Sequence, residues 1–91
     1  MLRTNDNDPV TLALAALAAT LRCERRAQRF IDVTGIGTEE LRRRAAEPGV
    51  LAALLRFLEA HEPDLVDVAE ALGVKPEVLV EARRQLEEAS I

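Results

Sequence analysis

The sequence predicts an all-α protein, a compact bundle of five to six short helices that can be divided into two pseudo-repeated three-helix halves. Three observations carry that expectation. Alanine, leucine, arginine and glutamate dominate the 91 residues, and all four are good helix formers. No segment shows the period-2 alternation, enriched in aromatic and β-branched residues, that a strand requires. A helix-turn-helix joint is written twice, first as Gly35-Ile36-Gly37-Thr38-Glu39-Glu40-Leu41 and then as Gly73-Val74-Lys75-Pro76-Glu77-Val78-Leu79. Each copy has a glycine suited to the left-handed C-cap, then a β-branched residue, then a leucine five positions on that can staple the next helix start. Glu39 and Glu77 fall in the first turn, where a carboxylate meets the positive end of the helix dipole.

Residues 1–7 are polar and read as a flexible N-terminal tail; residues 8–91 read as one helical domain. Asp8-Pro9 starts the first helix, with Asp as N-cap and Pro at the first helical position, and the helix runs to about Arg22. It is apolar on nearly all sides, as buried helices are. The second helix runs from about Glu24 to Val33 and stops at Gly35. The third starts near Thr38 and ends near Ala46, where Glu47-Pro48-Gly49 breaks the chain. Val50 to Ala60 is a fourth, again mostly apolar. Pro63 opens a fifth that ends at Gly73, and Pro76 opens a sixth that reaches about Glu88.

The glycines of the two joints lie at 35 and 73, a spacing of 73 − 35 = 38 residues. That shift lays the first three helices on the last three, giving pseudo-repeats over about 9–46 and 47–84. The other reading is a six-helix bundle whose joints share capping physics and nothing more. If the repeat holds, helices 1 and 4 form the centre. The expected core is Leu12, Leu14, Leu17, Leu21, Phe30, Ile31, Leu41, Leu51, Leu54, Leu55, Leu58, Val68, Leu72 and Leu79. Two all-apolar helices are hard to bury in so small a domain, which makes a homodimer over part of helix 1 or 4 a natural consequence.

Charge is unevenly placed. Residues 1–46 hold eight basic groups against six acidic, for +2; residues 47–91 hold four against ten, for −6; together they give the net −4. Arg22, Arg25, Arg26 and Arg29 recur at helical spacing on helix 2, and Arg42, Arg43 and Arg44 cluster on helix 3. These seven are the candidate partner-binding residues, and also the groups that would neutralise phosphates if the partner were nucleic acid. A solvated face paired with Glu24, Asp32, Glu39 and Glu40 accounts for them as well. No aromatics stand between them to stack unpaired bases. The second joint has the pattern of a DNA-binding helix-turn-helix, but its second helix opens Pro76-Glu77-Val78-Leu79-Val80-Glu81, without a side chain to read base edges and with carboxylates facing phosphates.

Catalytic chemistry is not written here. One histidine (His61) and one cysteine (Cys23) assemble neither a nucleophile pair nor a metal site, and no glycine loop cradles phosphate. His61 is expected to cap the end of helix 4, and Cys23 to be a small structural residue. The chain is expected not to be an enzyme, with no catalytic residue, no cofactor, no metal and no small-molecule substrate. The longest apolar run, Leu12 to Ala19, is too short for a membrane span, the N-terminus is unlike a secretory signal, and a lone cysteine fits a reducing compartment. A cytoplasmic protein with a protein partner, or a second copy of itself, is the expectation; nucleic-acid binding through the arginines is the alternative.

The run Leu12 to Leu17, then Arg29-Phe30-Ile31-Asp32-Val33-Thr34-Gly35-Ile36, Leu41-Arg42-Arg43-Arg44-Ala45, Glu47-Pro48-Gly49-Val50-Leu51-Ala52-Ala53 and the Gly73–Glu77 close, resembles a bacterial family of about this length, domain of unknown function number 3572. The resemblance covers about residues 9 to 86. It departs at Cys23, where a polar or acidic cap is usual, and in Glu62-Pro63-Asp64-Leu65-Val66-Asp67. It implies a small all-helical domain and carries over no functional residues.

Overall fold

The computed structural model describes residues 8–89; the expected N-terminal tail, residues 1–7, lies outside them. Six helices follow in order: α1 (Pro9–Leu21), α2 (Glu24–Thr34), α3 (Thr38–Arg44), α4 (Pro48–Glu59), α5 (Glu62–Leu72) and α6 (Pro76–Ala89). Their starts follow from local chemistry. Asp8 caps α1 by accepting from the Thr11 backbone N–H and hydroxyl, each at 3.0 Å. Pro48 does not end a helix; it opens α4 two residues earlier than Val50, at a position where a missing N–H costs nothing. Gly35 (φ 76°) and Gly73 (φ 74°) end α2 and α5 in the left-handed region, as the twice-written joint requires.

The centre is α1, α4 and α6, with α6 packed along both of the others. The sequence placed only α1 and α4 there. Leu79, Ala82 and Leu86 of α6 are buried against Leu51, Leu54, Leu55 and Leu58 of α4 and Leu12, Ala13, Ala16 and Leu17 of α1. Val50, Phe57, Leu65 and Leu86 also belong to the core and were not expected in it. Leu14 and Leu21 were expected inside and are instead 38% and 42% exposed, while Ile31 and Leu72 are half-buried. The cause is α3. At seven residues it is half as long as α6, and it reaches only the end of α1, so the outer side of α1 has no helix lying along it.

The 38-residue shift relates many contacts, though not all. α1 packs on α2 as α4 packs on α5, and α1 packs on α5 as α4 packs on α2. The correspondence fails at the third helix of each half: α6 lies along α1 and α4, and α3 lies along neither.

Candidate interaction surface

Where α2 faces α5, the guanidinium of Arg26 donates from Nε to Oδ1 of Asp64 at 2.9 Å and from Nη2 to Oδ2 of Asp67 at 3.1 Å. Arg29 donates to the other oxygen of Asp64. The contacts are reciprocal under the shift. Residue 26 corresponds to 64 and 29 to 67 (26 + 38 and 29 + 38), so Arg26–Asp64 joins equivalent positions, and Arg29–Asp64 mirrors Arg26–Asp67. The Asp64 side chain is 4% exposed and that of Arg26 is 12% exposed, so the pair sits largely out of water and is held by charge-assisted, well-directed bonds.

Cys23 and His61, also equivalent, are the residues that precede α2 and α5. His61 therefore does not cap the end of α4; its Nδ1 lies 3.0 Å from Oδ2 of Asp64 and 3.2 Å from Nη2 of Arg29. Cys23 closes no cap hydrogen bond, but the neighbouring Arg26 backbone amide lowers the thiol pKa from its ordinary value. The charges of Arg26 and Arg25 act the same way, and burial opposes them. Arg29 also lies over the Phe57 ring, 5.2 Å from its centroid.

The seven candidate arginines thus separate. Arg26 and Arg29 are tied to α5, and Arg44 is held by Glu40 at 2.6 Å and Glu47 at 3.0 Å. Arg42 is 74% exposed with only a loose pairing to Glu39 at 3.8 Å. Arg22, Arg25 and Arg43 are exposed, and no ion pair forms on them among the described residues. Of the expected anionic neighbours, Glu39 and Glu40 take up arginines as the sequence suggested, whereas Asp32 accepts from Gln28 at 3.0 Å. Asp64 and Asp67 were missed as partners.

Arg22 and Arg42 flank an uncovered apolar stripe. Along α1, Thr11, Leu14, Ala18 and Leu21 follow at i, i+3, i+7 and i+10 and are all exposed, a stripe on one helix face. At its C-terminal end the stripe runs into a groove of about 210 Å³ lined by Leu17, Leu21, Thr38, Leu41, Arg42 and Ala45. The equivalents of Leu21 and Ala45 in the second half are Glu59 and Arg83 (21 + 38 and 45 + 38). There the guanidinium bridges both carboxylate oxygens, at 2.9 and 3.1 Å, and ties α6 to α4. Leu21 and Ala45 have no such reach, and the joint stays open.

Ala45→Met should partly fill this groove and raise stability by about 0.5–1 kcal/mol, a melting-temperature rise of about 4 °C in a domain of this size. An unchanged or lowered melting temperature would mean that α3 does not hold the position from which a longer side chain reaches Leu17 and Leu21.

Among the described residues, no helix is long and apolar enough to cross a membrane, and no group of three or more His, Cys, Asp or Glu side chains could hold a metal ion. Fold and surface together define a small all-α bundle whose two halves are locked by an Arg–Asp cluster centred on the buried Asp64 and whose first helix keeps an apolar outer face. The chain belongs to the DUF3572 family, whose description is protein of unknown function; the family model matches residues 6–89. No curated protein and no solved structure matches the chain.

Proposed function

We propose that this domain is a non-enzymatic interaction module that docks a polypeptide on the outer face of α1. The observation that carries the reading is the exposed stripe Thr11, Leu14, Ala18 and Leu21, continuous with the groove beside Leu41 and Ala45. Scattered apolar side chains on a surface are ordinary; a helical stripe that ends in a groove and is bordered by weakly engaged arginines is the anatomy of a helix-docking face. The acid at the heart of the charged cluster, Asp64, is engaged by Arg26, Arg29 and His61, which supports a structural rather than chemical task for it. A cytoplasmic setting, where a single cysteine stays reduced, accompanies this reading.

The test places a photo-crosslinking phenylalanine analogue at position 14 in the producing cell, with position 85, an exposed glutamine on α6, as control. A single dominant polypeptide adduct, identified by mass spectrometry and specific to position 14, is expected. Adducts no more abundant at 14 than at 85 would overturn the reading.

A further inference from the structure

We infer that the occupant of the α1 face is a second copy of this chain, lying antiparallel so that the two α1 helices pair along their stripes. The inference rests on the interaction reading and names its partner. The stripe reads the same in both directions: three residues from Thr11 to Leu14, four to Ala18, three to Leu21. An antiparallel pair about a two-fold axis therefore sets Leu14 of each copy against Ala18 of the other, and Leu21 against Thr11. Large meets small at every level, which is the self-complementarity that an isologous contact needs. Ala15 and Ala18 let the two backbones approach closely.

Charge selects the same orientation. The N-terminal end of the stripe carries the exposed carboxylate of Asp8, and its C-terminal end is bounded by Arg22 and Arg42. Antiparallel pairing brings the Asp8 of each copy to the end of the other that carries Arg22, Arg42 and Glu24; parallel pairing would set Arg22 against Arg22 and Asp8 against Asp8. The nearest charges of the same element ends are Glu24 beside Arg22 and Glu39 beside Arg42, each exposed, and Arg25 adds a further cation. The groove next to Leu21 is then covered by the first turn of the other copy's α1. A contact built on one 13-residue helix is at the small end of protein interfaces, so the dimer is weak, with a dissociation constant between about 10 µM and about 1 mM.

The full chain is measured by light scattering and sedimentation from about 10 µM to about 1 mM. The average mass should climb toward twice the chain mass over that range. Leu14→Glu, at a position already exposed, should remain monomeric throughout with an unchanged helical spectrum. Asp8→Asn, which keeps the N-cap acceptor and loses the charge, should weaken association about two- to fivefold, and Arg22→Glu by more. Orientation is read in a Cys23→Ser background by mixing Thr11→Cys with Leu21→Cys under a short bis-maleimide. Crosslinks between 11 and 21 are expected to dominate, and dominant 11–11 and 21–21 products would overturn the antiparallel pairing. A chain that stays monomeric to about 1 mM, or a Leu14→Glu variant that still dimerises, overturns the self-pairing altogether. In that case a position-14 adduct with another protein would leave the interaction reading standing with a different occupant, whereas the absence of any adduct removes both.

Discussion

Asp64→Ala is expected to destabilise the fold by about 3–4 kcal/mol, a large part of the net stability of a domain this small. The substitution removes the carboxylate that takes one bond from Arg26 and another from Arg29, and leaves Arg26, at 12% exposure, with only the exposed Asp67. Breaking one side of a buried pair costs more than deleting the whole pair, because an uncompensated charge stays out of water. Arg29 is one-third exposed and can recover hydration, which holds the figure below the upper end of the range for buried pairs. The informative companion is the double variant Asp64→Leu with Arg26→Met. It removes the pair together and should cost at least 2 kcal/mol less than the single alanine. Urea unfolding with the slope held fixed checks both. An Asp64→Ala loss under about 1 kcal/mol would mean that Arg26 and Arg29 find other partners without strain.

Phe30→Ala should cost about 3–5 kcal/mol, the range for truncating a fully buried phenylalanine in a core that cannot collapse around the gap. Phe30 has no exposed surface and meets Phe57 edge to face, with centroids 5.3 Å apart and planes at 79°. It is the only residue of α2 that is fully buried, so it is the main apolar tie of that helix to the bundle. Phe30→Leu should lose much less, about 1–1.5 kcal/mol. Because Arg29 spans Phe57 and Asp64, Phe30→Ala combined with Asp64→Ala should depart from additivity by about 0.5–1 kcal/mol. Chemical denaturation of the two singles and the double measures that coupling; strict additivity would separate the aromatic pair from the ion cluster.

The helices were legible because each boundary is set by a local rule: Asp8-Pro9, Gly35, Pro48, Gly73 and Pro76 need no tertiary information. The core was legible where the apolar period has a clear face, as along α4. It was not legible along α1, whose sequence is apolar all round, so periodicity gives no reason to prefer Leu12 and Leu17 to Leu14 and Leu21. That choice is made by α6 and by the brevity of α3, facts of packing. The arginines show the same division. Glu39 and Glu40 lie within one turn of Arg42 and Arg44, and local spacing finds such pairs. Asp64 is 38 residues from Arg26 and invisible to local spacing. A signal existed nonetheless: the shift that aligns the two joints also puts Arg26 over Asp64 and Arg29 over Asp67. Opposite charges at equivalent positions mark where two related halves face one another. His61 was misplaced for a simpler reason, since its side chain serves the helix that follows it rather than the one that it ends.

That cluster gives the two halves a polarity. Were two first halves to pair in the same manner, Arg26 would meet Arg26 with Arg29 beside it; two second halves would bring Asp64 to Asp64. Only unlike halves close without burying like charges, a penalty of several kcal/mol against either wrong match. The Arg–Asp cluster is thus a keyed latch, and it means that a bundle with the outline of a symmetric object has just one way to shut.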